Sequence, residues 1–424
     1  MKFKKYQLKN GLRIILSPIK DCQSVTALAL IGTGSRYEKQ ENNGISHFLE
    51  HMFFKGTKNR PRPQDVVEDL DLIGGEYNAF TSHEYTGFWA KVAAPHLDLT
   101  LDWLSDILLN SKFSQQEMEK EKNVIVEEIN LYQDSPMKKI YFNWLHLLYG
   151  QQSLGMPILG PKKNVENANR KMLLDYFQKQ YQAKNTVICL SGKVSDSPSL
   201  IKKIEKYFAN ISNGDPASAQ LIDDQQGNSS ISVEYKKTDQ SHLIIGFRGI
   251  GMNNPNRYVL QLISTILGGY MSSRLFVEVR EKRGLAYYIK SAADFFTDTG
   301  SIVAQAGVAN QKIQESIRVI LQEFKKIQEG KISQKELNKA KENLIGRLAL
   351  SLETSDDVAT WLAEQEVLKN KILTPKQLSQ KISKITLTDV KKMSREIFSP
   401  NRLNLAIIGP FKEKKPFEKL LEKY

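Results

Sequence analysis

The sequence predicts an α+β protein of two homologous domains, each a largely antiparallel sheet packed with helices. Three observations carry that prediction. The chain has 424 residues, too many for one compact core and natural for two domains of about 200 residues each. Three pairs of segments resemble one another, in order, at nearly one offset. Strand-like runs alternate with long helical patterns but without a strict β-α-β rhythm, which suits helices laid on an antiparallel sheet.

The N-terminal MKFKKYQLKNGLRIILSP has the basic start of a signal peptide, but Lys9, Asn10, Gly11 and Arg13 interrupt the apolar stretch that such a segment needs. It reads instead as a hairpin with Asn10-Gly11 as a two-residue turn. Further strand runs are VTALALIG and GFWAKVAA in the first half, and SVEYKK, HLIIGF and IVAQAGV in the second. KNTVICLSGKV, residues 184–194, matches PNRLNLAIIGPF, residues 400–411, with Asn185 facing Asn401 at an offset of 216. FSQQEMEKEKN from Phe113 matches ISQKELNKAKEN from Ile332, an offset of 219. GISHFLEHM matches LISTILGGYM, Ile45 facing Ile263, an offset of 218. Such agreement marks a duplicated domain. The polar, turn-rich ISNGDPASAQLIDDQQGNSS reads as a linker, so the expected division is 1–210, a linker at 211–230, and 231–424.

Sixty Lys and Arg against 47 Asp and Glu give a net charge of +13, which raises the question of an anionic partner. No basic stripe interleaved with aromatics is present, so nucleic acid is not expected and the bases read as a solvated surface. No apolar run is long enough to suggest a membrane span. Two cysteines, Cys22 and Cys189, exclude a disulfide framework and a thiolate metal site. The expectation is an intact cytoplasmic protein.

The chain has only six histidines, yet His47 and His51 stand four apart in GISHFLEHMFF with Glu50 between them. At about 100° per residue both imidazoles lie on one helix face and can reach a single point. Glu50 lies beside that face, placed to contact a water without ligating a metal; this is the inverted zinc-protease order H-x-x-E-H. Through the internal alignment His47, Glu50 and His51 face Thr265, Gly268 and Gly269. A trio needed for packing would be kept in both halves, so the asymmetry points to chemistry. A hydrolytic zinc site needs a third protein ligand, and with cysteine unavailable a carboxylate is the natural donor. SQQEMEKEKNVIVEEINLY offers two, Glu121 and Glu128, seven residues apart within an apolar stripe of Met118, Val124, Ile125 and Ile129. Glu127 points away from that stripe. In the second half Glu121 and Glu128 become Ala340 and Arg347.

HFLEH followed by Glu128, 77 residues beyond His51, resembles the pitrilysin/insulinase family of zinc metallopeptidases. NGLRIIL, GTGSRYE, GGEYNAFTSHEYT, EKNVIVEEI and VREKRGLAYYI extend the resemblance over essentially the whole chain. It is similar to the short two-domain branch that includes the mitochondrial processing peptidase, in its catalytic subunit. The resemblance implies one zinc per chain, with His47, His51 and Glu128 as ligands, Glu50 as general base and Glu121 as a supporting carboxylate beside the ligand histidines. Asn78, Ala79 and Phe80 match the family's edge strand, which pairs with an extended peptide; a small Ala79 permits close backbone approach. His83 reads as a solvated loop residue, and His96, His146 and His242 carry no assignment. Arg280 and Tyr287 fall at the family's arginine–tyrosine pair, although Arg283 and Tyr288 stand close by; such a pair would hold a substrate carbonyl and steady an oxyanion.

The expected activity is thus zinc-dependent endopeptidase action on peptides or unfolded polypeptide. The alternatives are a non-catalytic partner subunit of the same family and a basic nucleic-acid binder. In longer relatives the arginine–tyrosine pair faces the zinc from the last of four domains, so a two-domain chain is expected to homodimerise and complete each site in trans.

Overall fold

The computed structural model describes residues 1–424. The chain forms two compact units, each built on one sheet. The first sheet comprises β1 (Lys4–Gln7), β2 (Arg13–Pro18), β3 (Ser24–Ile31), β4 (Glu76–Thr81), β5 (Thr86–Ala93) and β6 (Thr186–Gly192), in the order β1-β2-β6-β3-β5-β4. The second comprises β7 (Ser230–Tyr235), β8 (Gln240–Arg248), β9 (Ala286–Phe295), β10 (Gly300–Ala309) and β11 (Leu403–Gly409), in the order β7-β11-β8-β10-β9. Apart from β1 the two orders are the same. The one parallel pair also falls in the same place, β2 on β6 and β7 on β11, and every other pair is antiparallel. The fold is α+β and duplicated, as the sequence predicts.

The N-terminal hairpin forms, but its turn is not the two-residue one. Leu8 N–H donates to Leu12 O at 2.9 Å, which leaves Lys9, Asn10 and Gly11 as the loop. Gly11 takes the left-handed position at φ 91°, the three-residue alternative to an Asn-Gly turn.

The first five helices are α1 (Ile45–Met52), α2 (Pro63–Leu72), α3 (Leu97–Asn110), α4 (Gln115–Asp134) and α5 (Pro136–Tyr149). Every residue of β6 and nearly all of β3 are buried, so these central strands need cover on both faces. One face of the first sheet packs on α3. The other is covered by the helix Ser355–Lys369, whose Val358, Ala359, Leu362 and Ala363 meet Ile15, Leu28, Leu30, Val187 and Cys189. In the second unit the corresponding face is covered by α5, through Ile140, Trp144 and Leu148 against Ile244, Val303, Ala406 and Ile408. At the internal offset of 218, α5 falls on that later helix. The equivalent helices have therefore changed places between the halves. The first unit is residues 1–130, 156–220 and 349–374, and the second is 131–155, 221–348 and 375–424. This differs from the contiguous division expected at 211–230, because an amphipathic pattern fixes a helix's buried face but not the sheet that face covers. Residues 213–229 hold neither helix nor strand. No helix is long and apolar enough to cross a membrane.

Candidate metal centre

The second unit's equivalent of α1 is one continuous helix, Arg257–Gly268, whereas in the first unit the chain breaks into a short turn of helix, Gln40–Asn42, and restarts at Gly44. Gly44 sits at φ 102°, and a Cβ there would lie 2.6 Å from Leu159 O, so the restart needs glycine. Buried Glu38 then caps α1, accepting from Gly44 N (2.7 Å), Ser46 N (2.8 Å) and Asn43 Nδ2 (2.8 Å). Burial pushes its carboxyl up to about 7, against the opposing pull of these donors. Ser46 Oγ donates to the Tyr176 hydroxyl at 2.8 Å and ties down the same turn.

From this anchored helix His47 and His51 project toward α4. Their rings meet edge to face at 4.6 Å between centroids. His47 Nε2 lies 3.4 Å, and His51 Nε2 3.5 Å, from the same oxygen, Oε2 of Glu128. One ligand atom from each of the three residues lies within 4.8 Å of the others. Zinc at about 2.0–2.2 Å from tetrahedral nitrogen and oxygen donors would space them roughly 3.3–3.6 Å apart, so the donor set fits that ion in type and separation. Behind it, His51 Nδ1 donates to Glu121 Oε1 at 2.8 Å, which leaves Nε2 as the free lone pair. The other oxygen of Glu121 pairs with Lys55 Nζ at 2.7 Å. Burial acts to raise Glu121, but His51 and Lys55 hold it below the usual carboxylate range. Burial likewise acts to lower both imidazoles; His47 goes down, with His51 beside it, while the bonds from Glu121 and Glu128 carry His51 up.

The buried stripe of α4 is Met118, Glu121, Ile125 and Ile129; Val124, assigned to it from sequence, is 51% exposed. Counted at about 100° per residue from Met118, the residues Glu121, Ile125 and Ile129 fall at roughly 300°, 340° and 20°, whereas Val124 falls at roughly 240°, off that face. Glu127 is exposed, as expected.

Glu50 is outside the convergent donor set. Its Oε2 accepts from Thr81 Oγ1 at 2.5 Å, and burial raises its pKa while that bond opposes the rise. Thr81 ends β4, the free edge of the first sheet. Ser82 N–H donates to Tyr85 O at 2.8 Å and fixes the hydrogen-bonded register. Counting back along the β4–β5 ladder, Ser82, Phe80 and Asn78 bond inward, so Thr81, Ala79 and Tyr77 turn N–H and C=O outward. Ala79 N–H meets only its neighbour's side chain, Asn78 Oδ1, at 2.8 Å. Side chains alternate, so the Ala79 methyl shares the face of Thr81 and Glu50. The Phe80 side chain is on the other face, over Gly87 and against the cluster of Leu28 and Leu30. Phe80 therefore offers an added strand neither its backbone, which bonds to β5, nor its side chain, which lies on the far face.

The second unit lacks both the chemistry and the space of this site. A Cβ at Gly268, the equivalent of Glu50, would lie 2.3 Å from Ser291 N, and one at Gly269 would lie 2.8 Å from Thr265 Cα. In that unit Arg280 packs 4.9 Å from the Phe276 ring and 6.0 Å from the Tyr287 ring, and Tyr287 is 75% exposed. Neighbouring Arg283 is bound to Glu278 at 2.7 Å, and the Tyr288 hydroxyl bonds His242 Nδ1 at 3.0 Å. That leaves Arg280 and Tyr287 as the exposed pair. His83 is buried, not solvated, with Nδ1 2.9 Å from Ser35 Oγ; its partners are 48 residues away and leave no local trace. Sequence reasoning also passed over Thr81 and Lys55. Thr81 was legible by alternation from Ala79, whereas Lys55 leaves no signal in the sequence.

Residues 13–162 match the family described as Insulinase (Peptidase family M16), and residues 167–344 match its Peptidase M16 inactive domain. The latter stretch contains none of the three converging ligands. The Bacillus subtilis uncharacterized zinc protease YmxG is 36% identical over 407 residues, covering 96% of this chain and 98% of its own. An uncharacterized zinc protease of Rickettsia felis is 35% identical over 405 residues, 95% of this chain and 97% of its own. A solved Helicobacter pylori protease superposes with a TM-score of 0.89 at 25% identity, over 96% of this chain and 99% of its own.

Proposed function

The chain belongs to the insulinase family of peptidases, M16, and we propose that it is a zinc-dependent endopeptidase acting on peptides or unfolded segments held in extended form. The observation that carries this reading is the convergence of His47, His51 and Glu128 beside a non-ligating Glu50 and the free edge of β4. His47, His51 and Glu128 would hold the zinc. When bound, zinc supplies Lewis acidity toward a water and the scissile carbonyl. Glu50 takes the water's proton and returns it to the leaving amine, while the Thr81 hydroxyl keeps its carboxylate aimed. Burial raises the Glu50 carboxyl above its ordinary value, the direction that strengthens a general base. Glu121 fixes the His51 tautomer.

A peptide adding a strand to β4 would pair with Ala79 N–H and C=O once the Asn78 side chain swings away. Main-chain pairing of this kind tolerates many sequences. Arg280 and Tyr287 are proposed to hold a substrate carbonyl in a site completed by a second copy of the chain, in a cytoplasmic homodimer. The inactive-domain match favours a non-catalytic subunit only for the copy without ligands, whereas residues 1–130 keep the full set. The test is cleavage of a mixed peptide library with and without a zinc chelator. Chelator-sensitive cleavage restored by zinc supports the reading; cleavage indifferent to chelation, or none by the zinc-loaded protein, overturns it.

A further inference from the structure

We propose that Lys55 is a positioning residue of the metal centre, acting on the ligand His51 through Glu121. This rests on the zinc reading above. His51 and Lys55 stand four apart and leave the C-terminal end of α1 on the same side, each taking one oxygen of the same carboxylate. Glu121 is 4% exposed, among Met118 and Ile125, so each of its oxygens requires a partner. With both in place the carboxylate cannot rotate, His51 keeps its proton on Nδ1, and Nε2 faces Glu128. The clamp also fixes α1 against α4. Glu128 lies seven residues, about 10 Å of helix, beyond Glu121, so the register set at Glu121 determines where Glu128 meets the two imidazoles.

The duplicated unit supplies an internal control. There Glu121 becomes Ala340 and both histidines are lost, and at the offset of 219 the basic residue in the place of Lys55, Arg274, pairs with Glu336 instead. The Lys55 side chain, 26% exposed, lies against the protein rather than free in solvent.

The experiment is a double-mutant cycle read by zinc affinity, measured by competition with a chromogenic chelator, on the wild type, Lys55→Met, Glu121→Gln and the double variant. Lys55→Met keeps the side chain's bulk and removes its charge. Loss of an outer partner of a ligating histidine weakens metal binding about 10–100-fold. Lys55→Met is expected at the lower end, Glu121→Gln higher, and the double variant no weaker than Glu121→Gln alone, because Lys55 has no other route to His51. Lys55→Arg should restore most of the affinity. Melting of the zinc-free proteins separates this from a purely structural role, which would lower the midpoint without touching zinc affinity. Wild-type affinity in Lys55→Met, or losses that multiply in the double variant, overturns the proposal while leaving the zinc reading intact. A wild type that binds no zinc overturns the reading beneath both.

Discussion

Replacing Glu50 with glutamine separates the two roles an acid between two histidines can have. The amide has nearly the carboxylate's shape, and its oxygen can still accept from Thr81 Oγ1, now 2.5 Å from Glu50 Oε2. Glu50 is not among the converging donors, so the metal set is untouched. Burial already raises the Glu50 carboxyl, so a neutral amide costs less to bury and the fold should not weaken. What goes is the proton acceptor. General-base catalysis contributes about 10²–10⁴-fold, which at about 1.36 kcal/mol per decade is roughly 2.7–5.4 kcal/mol of barrier. The assay is kcat/KM on an internally quenched peptide, with elemental zinc and melting measured on the same preparation. Glu50→Gln should lose two to four decades of kcat/KM at wild-type zinc content. Zinc lost along with activity would make Glu50 a ligand, and activity within tenfold of wild type would falsify its role as base.

Ala79→Pro removes an N–H that faces away from β5, so the sheet should hold its melting midpoint within a few degrees. A peptide pairing with that N–H should lose about 1 kcal/mol, seen as a several-fold rise in KM; an unchanged KM would take peptide pairing off this edge. Gly44→Ala forces a methyl against Leu159 O at a positive φ. It should cost about 1–3 kcal/mol in denaturant unfolding, and an unaltered midpoint would show that α1 can restart elsewhere. Mixing a Glu50→Gln chain with an Arg280→Ala, Tyr287→Phe chain, with subunit exchange demonstrated, should restore activity above either parent if the pair serves the partner's site. No recovery would place the pair in cis or outside the reaction.

Much of this was legible because the chain contains two copies of one pattern. The offset near 218 exposes the duplication, and the copy without His47, Glu50, His51, Glu121 and Glu128 marks those residues as chemical rather than structural. What escaped depends on distance in three dimensions. The exchange of α5 with the helix Ser355–Lys369 leaves no trace in either helix's own pattern, since the same apolar face suits either sheet. His83 looked solvated because Ser35, which receives it, lies 48 residues earlier. Val124 entered the α4 stripe because a one-position error is invisible to a coarse helical period. Lys55 reads as an ordinary lysine after a helix until Glu121 is seen beside it.

The claim on which the rest depends is that Glu128, and not its neighbour, closes a metal site with His47 and His51. Zinc per chain, measured by elemental analysis on the wild type, Glu128→Gln and Glu127→Gln purified side by side, tests it most directly. Glu127 is exposed and adjacent, and controls for charge and helix propensity. The expected result is one zinc per chain in the wild type and in Glu127→Gln, and a small fraction of that in Glu128→Gln. Full zinc in Glu128→Gln, or equal loss in both variants, would contradict the assignment.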